Sequence, residues 1–281
     1  MFTFAGKLHI NNFSCIMANV IKIKKGLDIN LKGKASDVLL NGGKSDSYAI
    51  VPDYYNGIVP KVVAKVGEKV KAGSVLMIDK NRPEIKFVSP VSGEVTAVNR
   101  GEKRKVLSVV VKPEAQIEYE DFGKKNVASL KREEVKEAIL HAGMWPFIKQ
   151  RPYDIVASPA DEPRDIFVSA FYSAPLAPNF DFVVKGQEVD FQTGLDALAK
   201  LTDGKVYVGI RKGSSVSVKG VETVEVEGPH PAANVGVQIN HIKPINKGEV
   251  VWTVNPADVI VIGRLFNKGI ADFSRLVVIT G

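Results

Sequence analysis

The stretch that decides the fold is VVAKVGEKVKAGSVLMIDKNRPEIKFVSPVSGEV, residues 62–95. Short apolar segments alternate in it with glycine-bearing turns, and this pattern predicts a series of short β-strands. The sequence also contains an internal repeat. Gly57-Ile-Val and Gly67-Glu-Lys-Val are similar to the later segments Gly93-Glu-Val and Gly101-Glu-Lys-Arg. A repeated unit of this kind predicts a small, quasi-symmetric β-sandwich whose two halves share one core.

The same stretch resembles the lipoyl and biotinyl carrier domains, which bear their cofactor on one lysine at a hairpin tip. Asp79-Lys80 resembles the Asp-Lys pair of the lipoyl type, and Ser89-Pro-Val-Ser-Gly resembles the motif that follows it. However, Asn81-Arg82-Pro83 lengthens the connection, and proline cannot occupy the positive-φ positions of a two-residue hairpin turn. We therefore expect the carrier fold without the carrier chemistry, with Lys80 as an unmodified loop lysine. A modified carrier protein remains the alternative.

Length and composition indicate a globular chain of two domains. The 281 residues are 45% hydrophobic and 25% charged, which is typical of such chains. The chain contains one cysteine, Cys15, so it has no intramolecular disulfide and no cysteine-based metal site. Its apolar runs are shorter than the roughly 20 residues of a membrane-spanning helix. Residues 1–16 predict a disordered tail or a mis-assigned start, because Met17 opens a normal protein start.

The positive charge lies in the front part of the chain. Residues 17–112 hold 18 Lys and Arg against 9 Asp and Glu, whereas residues 113–281 hold 19 against 22. The lysines stand singly along alternating strands, without the interleaved aromatic residues or motifs of nucleic-acid-binding proteins. We therefore expect no nucleic-acid partner. The charge instead indicates a docking face for acidic protein surfaces or anionic headgroups.

The second half of the chain predicts an α/β domain. Ser129 and Gly143 are expected to begin and end its first helix, and Asn255 followed by proline marks the start of another that ends at Gly269. Further helix is predicted over 188–202, and strands over 154–157, 166–171, 205–211, 250–254 and 275–279. Alternating strands and helices favour a mainly parallel sheet. The expected domains are thus a β-rich module over 17–126 and an α/β domain over 127–281.

Six segments, in this order, resemble one family. They are KIKKGLDI (22–29), VGEKVKAGSVLMIDK (66–80), KFVSPVSGEVTAVNRGEKR (86–104), GMWPFIKQRPY (143–153), GLDALAKLTDGKVYV (194–208) and EGPHPAANVGVQINHI (227–242). Together they are similar to the N-terminal portion of the A subunits of the Na⁺-translocating NADH:quinone oxidoreductases (Na⁺-NQR). The resemblance implies a lipoyl-like β-sandwich of the barrel-sandwich-hybrid type, followed by an α/β domain similar to the flavin-bearing NADH subunit of complex I.

The resemblance also implies a function. It predicts a peripheral subunit on the cytoplasmic face of the bacterial inner membrane, docked on membrane-embedded partners. The complex passes electrons from NADH to ubiquinone and exports Na⁺. In this family the subunit carries neither the flavins nor the iron–sulfur centre, so we expect no covalently bound cofactor. Its expected role is to assist quinone reduction.

The nucleotide site expected of a flavin-bearing relative is not found in the sequence. A phosphate-binding turn needs glycines that allow backbone N–H groups to approach the phosphates, and the sequence has neither a G-x-G-x-x-G motif nor a P-loop. At the corresponding place the chain has the bulky residues Met144, Trp145, Pro146 and Phe147. We therefore predict an α/β fold without a nucleotide site and without a catalytic centre of its own.

Two stretches could hold a quinone, which needs an aromatic slot and one or two hydrogen-bond donors. The candidate residues are Tyr54, Tyr55 and Asn56 in the first stretch, and Trp145, Phe147 and Arg151 in the second. The alternative is purely structural. In that case the tyrosines would pack at the edge of the sandwich, and Trp145 and Phe147 would fill the cleft that binds flavin in the complex I relative.

A metal site is not expected. His230 and His241 are separated by Pro231, and no third ligand follows at a suitable spacing. Besides the carrier protein, two functional alternatives remain. One is a subunit of a related ferredoxin:NAD electron-transfer complex, and the other is a stand-alone flavoenzyme.

Overall fold

The computed structural model describes residues 20–33 and 35–280. The strands are β1 (Val20–Lys22), β2 (Tyr48–Ile50), β3 (Pro60–Val62), β4 (Lys69–Val70), β5 (Val75–Asp79), β6 (Lys86–Val88), β7 (Gly93–Arg100), β8 (Val106–Pro113), β9 (Ile148–Arg151), β10 (Ile155–Val156), β11 (Ile166–Ser169), β12 (Val206–Arg211), β13 (Glu222–Glu227) and β14 (Val251–Val254). The α-helices are α1 (Arg132–His141), α2 (Phe180–Val184), α3 (Glu188–Lys200), α4 (Val235–Ile242) and α5 (Pro256–Lys268).

The front module is a sandwich of two antiparallel sheets. One sheet has the order β2-β8-β7-β4 and the other β3-β5-β6. Leu76 of the second sheet and Val95, Val109 and Val111 of the first are fully buried in one shared cluster. This arrangement confirms the β-sandwich that the repeated glycine pattern predicts.

The second part is an α/β layer structure around a seven-stranded sheet of order β1-β13-β12-β11-β14-β9-β10. The five strands from β1 to β14 in that order pair in parallel, and β9 and β10 are antiparallel. Ile166 and Val168 of β11 belong to the core under α3 and α5, whereas Phe167 packs with Ile239 of α4. Because successive strand residues point to opposite faces, the helices cover both sides of the sheet.

The strand order contains a reversal. From β11 the chain adds β12 and β13 on one side of the sheet, and then returns through α4 to place β14 on the other side. In open α/β sheets, such a reversal leaves a crevice outside the carboxyl ends of the two neighbouring strands. The fold therefore places a crevice where β11 and β14 end.

Several elements differ from the sequence predictions. The β-rich module was expected to begin at residue 17, but β1 pairs with β13 in the large sheet of the α/β part. The first helix begins after Lys131 rather than at Ser129, which ends a short 3₁₀ turn. Residues 275–279 form no strand, and the prediction for residues 1–16 lies outside the described residues.

The two modules share part of their core. Met77, Ile85 and Phe87 of the sandwich belong to the same buried cluster as Ile139 of α1 and Trp145. The β5–β6 hairpin is also held by the buried carboxylate of Asp79, which accepts a hydrogen bond of 2.8 Å from Nε of Arg82. The other guanidinium nitrogens donate to the carbonyl oxygens of Val156 (3.2 Å) and Gly57 (2.9 Å). This hairpin is fixed against the α/β domain.

None of the helices within 20–33 and 35–280 combines the length and the apolar character that crossing a membrane requires.

Candidate functional site

A cavity of about 630 Å³ opens at the crevice between the carboxyl ends of β11 and β14. Ser169 ends β11 and borders the cavity, as does Tyr172 in the loop that follows. Thr253 of β14, Asp258 of α5 and Gly236 at the start of α4 also border it. Strand β9 closes the remaining side. The cavity therefore occupies the ligand position that this sheet topology favours.

Strand β9 and the residue that precedes it supply side chains to the cavity at alternate positions. Phe147, Lys149 and Arg151 line the cavity, whereas Ile148 is buried in the core on the other face. The antiparallel pairing of β9 with β14 sets Lys149 opposite Thr253, so both side chains lie on the cavity face. One aromatic ring and two cations thus lie along one wall.

Two nitrogen atoms in this wall have no hydrogen-bond acceptor among the described residues. They are Nζ of Lys149 and Nε of Arg151, and both are inaccessible to solvent. Burial lowers the pKa of Lys149, and the nearby carboxylates of Asp154 and Asp258 oppose that effect only in part. Because a buried donor without a partner is energetically costly, the wall is suited to a ligand that carries acceptor oxygens.

An ion pair lies at the border of the cavity. Asp258 lies in the first turn of α5, is buried, and lies 2.5 Å from a guanidinium nitrogen of Arg275. Burial raises the pKa of Asp258, and the charge of Arg275 and its hydrogen bond oppose that rise. The Arg275 guanidinium also lies 5.2 Å from the ring centroid of Phe147, within cation–π distance. Phe147 is thereby held in place.

The structure separates the six candidate residues into two groups. Phe147 and Arg151 line the cavity, and Tyr55 lies beside it, with Nζ of Lys149 5.0 Å from its ring centroid. Tyr55 also packs edge-on against Phe87, and burial raises its pKa. The two stretches singled out in the sequence therefore meet at Lys149.

The other three candidates lie away from the cavity. Tyr54 is 78% exposed, and Asn56 is exposed and accepts a hydrogen bond from the backbone of Val156 through its carbonyl oxygen. Trp145 is fully buried, and its Nε1 donates to the carbonyl oxygen of Ala157 (2.8 Å). Met144 and Pro146 are likewise buried, so the bulky turn fills the core beneath β9 and only its last residue, Phe147, reaches the cavity.

Sequence reasoning missed Lys149 and Asp258. The sequence did indicate Lys149, because this residue alternates with Phe147 and Arg151. It was missed because the short polar segment IKQR (148–151) was not recognised as a strand. Asp258 stood in a correctly predicted helix start, where an acidic residue is explained by the helix dipole alone. Its position in the cavity follows only from the packing of α5.

The remaining sequence-selected residues lie elsewhere. Lys80 is exposed in the hairpin loop, and its backbone N–H donates to the carbonyl oxygen of Val59 (2.7 Å). Nδ1 of His230 lies 3.1 Å from Oγ of Ser173, whereas Nδ1 of His241 lies 2.8 Å from the carbonyl oxygen of Val237. In the part of the chain that the structure describes, no three His, Cys, Asp or Glu residues form a group that could hold a metal ion.

Comparison with known families covers both domains. Residues 21–114 match the model of the NqrA N-terminal barrel-sandwich hybrid domain, and residues 130–271 match that of the NqrA second alpha/beta domain. The chain belongs to the NqrA family. The resemblance found in the sequence is thus confirmed, as is the two-part fold. Tyr55 and Lys80 fall in the first NqrA match, and Lys149, Arg151 and Asp258 in the second.

Individual NqrA relatives agree with this assignment. Proteins from Neisseria meningitidis, Hahella chejuensis and Vibrio atlanticus, each named as the A subunit of the Na(+)-translocating NADH-quinone reductase, are 38% identical to the chain over 267 residues. These alignments cover 93% of the chain and 60% of each relative. The chain therefore spans about 60% of the length of these NqrA proteins.

Proposed function

We propose that the chain acts as a peripheral subunit of a Na⁺-translocating NADH:quinone reductase, on the cytoplasmic face of the bacterial inner membrane. The observation that carries this proposal is the match of both domains to the NqrA family, together with relatives whose names state this activity. The subunit's role is to assist quinone reduction and to dock on its partners, without holding a redox centre of its own.

The cavity at the end of β11 and β14 is the proposed quinone site. It offers the rings of Phe147 and Tyr172 as apolar walls, and Nζ of Lys149 and Nε of Arg151 as hydrogen-bond donors without acceptors among the described residues. A quinone head group is a flat, apolar ring with two acceptor oxygens, so the two kinds of lining group match its two kinds of surface. Ubiquinone would bind there without a covalent link.

The proposed partners are the other subunits of the complex, including membrane-embedded ones. The basic front module, with its excess of Lys and Arg over residues 17–112, supports docking on acidic surfaces. Within that range, residues 27–33 and 35–40 have no regular secondary structure and expose several large aliphatic side chains: Leu27, Ile29, Leu31, Val38, Leu39 and Leu40. Exposed apolar residues in such number support a contact with another protein.

The experiment that tests this function is a pull-down of the tagged, full-length protein from membranes of its own host. The eluate is assayed for NADH oxidation with added quinone, with and without Na⁺. We expect a multi-subunit eluate whose turnover Na⁺ stimulates. A solitary protein without this activity would contradict the proposal, and a variant that changes the cavity, Lys149→Met, separates assembly from quinone turnover because it should still copurify with its partners.

A further inference from the structure

We propose that Lys149 and Arg151 bind the quinone oxygens, and that the cavity prefers quinones in which one of these oxygens carries negative charge. This inference rests on the proposed quinone function and adds a rule of ligand selection to it. It begins from Nζ of Lys149 and Nε of Arg151, which lie inaccessible in one wall without an acceptor among the described residues. Both atoms belong to residues that line the cavity, so a turn of these two side chains toward the cavity brings the donors to a bound quinone.

The charges around the cavity favour an anionic group. Arg151 has a carboxylate near it, since its Nη2 lies 3.4 Å from Asp154, and Arg275 is paired with Asp258. Lys149 has no such salt bridge within the described residues, and its ammonium group instead faces the ring of Tyr55. After these pairings, one positive charge is left without a partner, and it lies at a buried position where Coulomb interactions are strong.

The amino end of α4 adds to this field. Asn234 precedes the helix without a side-chain cap, so the N–H groups of the first turn are not satisfied by it. Gly236 lines the cavity in this turn, and a Cβ there would meet no atom within 4 Å. A helix amino end carries a partial positive charge, which further stabilises an anion nearby.

The chemical consequence is a difference between two forms of one ring. The Lys149 ammonium donates a charge-assisted hydrogen bond to either form, but only an ionised oxygen adds the Coulomb attraction between two opposite charges, which is strong at a buried position. The rings of Phe147 and Tyr172 contact both forms alike. Selection therefore depends on the cations and not on the aromatic walls.

A matched pair of ligands tests this selection. In 2-hydroxy-3-methyl-1,4-naphthoquinone the hydroxyl group is ionised at pH 7, and 2,3-dimethyl-1,4-naphthoquinone has nearly the same shape without the charge. Their affinities for the full-length protein are measured by titration calorimetry, beside 2-naphthoate as an anion without quinone oxygens. We expect both quinones to bind, the ionised one about tenfold more tightly, and naphthoate to bind more weakly than either.

Variants locate the effect. Lys149→Met should remove most of the preference for the ionised quinone and leave the affinity for the neutral one within about threefold, because methionine keeps most of the length of the side chain without its charge. Lys149→Arg retains the charge and should retain the preference. Lys61→Met removes the same charge from an exposed strand of the sandwich and should change nothing.

The outcomes separate the two proposals. Equal binding of both quinones, unchanged in Lys149→Met, overturns the selection rule and leaves the quinone site standing. Failure of both quinones to bind overturns the proposed site and the rule together, while the pull-down still decides membership of the complex. Naphthoate binding as tightly as the ionised quinone would make the cavity a general anion site and overturn quinone selection.

Discussion

At the scale of the residue, Lys149 does not contribute to the stability of the fold in the way that other buried residues do. Its ammonium group is inaccessible and has no hydrogen-bond acceptor in the described part of the chain, and burial lowers its pKa. An unpartnered buried polar group disfavours the folded state, and proteins keep such groups mainly where they serve a ligand. Lys149 should therefore lower the free energy of unfolding.

Replacing it should stabilise the protein. We expect Lys149→Met to raise the free energy of unfolding by about 1 kcal/mol, because methionine fills the same space without an ammonium group to desolvate. Urea denaturation of both proteins measures the change. The exposed Lys61→Met is the control and should stay within about 0.5 kcal/mol of the parent. A loss of stability in Lys149→Met would contradict the prediction and show that the contact of the ammonium with the Tyr55 ring outweighs the cost of burying it.

Arg82 is the opposite case, a charged residue that the fold requires. Its guanidinium is the partner of the fully buried Asp79, donates to the carbonyl oxygen of Val156 in the α/β domain and also donates to that of Gly57. We expect Arg82→Met to cost about 2–4 kcal/mol, because a buried carboxylate loses its partner charge while two backbone N–H groups still donate to it. Urea denaturation again gives the value.

The neighbouring Lys80 is the control for that experiment and tests the carrier alternative. Lys80 is exposed, so Lys80→Met should leave the stability unchanged within about 0.5 kcal/mol. Intact-mass measurement of the protein from its own host should show the unmodified mass. A lipoyl or biotinyl adduct that disappears in Lys80→Met would establish the carrier function instead.

At the scale of the element, one buried carboxylate joins three chain segments. Asp165, just before β11, accepts hydrogen bonds from Nζ of Lys243 (2.7 Å), from Nε of Arg164 (2.7 Å) and from the backbone N–H of Lys205 (3.1 Å). Burial alone would raise its pKa, but these hydrogen bonds and the charge of Lys243 outweigh burial and lower it. The amino ends of β11 and β12 are thereby tied to the carboxyl end of α4.

This lowered pKa predicts a pH dependence. An unfolded aspartate titrates near pH 4 and Asp165 in the folded protein titrates lower, so its stabilising contribution is complete above about pH 4 and is lost as the pH falls through the folded value. We expect Asp165→Asn to be less stable at pH 7 and to lose less stability between about pH 4 and pH 2. The urea concentration at the midpoint of unfolding, measured for both proteins across that pH range, tests the prediction. The same dependence of this midpoint on pH in the two proteins would contradict it.

The contact between α3 and α5 depends on glycine. A Cβ at Gly263 would overlap the carbonyl oxygen of Asp190, and one at Gly194 would overlap that of Val259. Because these atoms belong to helix backbones, they cannot move aside, and we expect Gly263→Ala to cost about 2–4 kcal/mol. Gly236→Ala in α4 meets open space and is the matched control, with an expected effect between zero and a gain of about 1 kcal/mol. Thermal unfolding of both variants measures the difference.

The elements differ in how much of them the sequence could predict. Helix α5 was predicted from Asn255 to Gly269 because its caps are local, and the structure has both the Asn255 cap and Gly269 at positive φ. Strands β9 and β13 were missed, since they are short and polar on one face and are strands only because β14 and β12 pair with them. For the same reason Phe147 and Arg151 could be selected by chemical type, whereas Lys149 needed the register of β9.

At the scale of the whole molecule, the positive charge is concentrated in the first part of the chain, which includes β1 and the sandwich. Residues 17–112 carry nine more positive than negative charges, and residues 113–281 carry three more negative than positive ones. Such a division orients a protein as it approaches a charged partner and accelerates association, and the effect falls with ionic strength. Docking of the subunit should therefore depend on salt and on the front module in particular.

The last prediction concerns this docking. We expect the association rate of the full-length subunit with host membranes that lack it to fall about tenfold between 50 and 300 mM salt, because the Debye length shortens over that range. The variant Lys61→Glu/Lys65→Glu changes two exposed lysines of the sandwich and should associate several-fold more slowly at low salt. Lys219→Glu/Lys247→Glu makes the same change in net charge on exposed residues of the α/β domain and should associate at nearly the parental rate. Equal slowing in both variants would mean that net charge, and not the front module, guides the subunit to its partners.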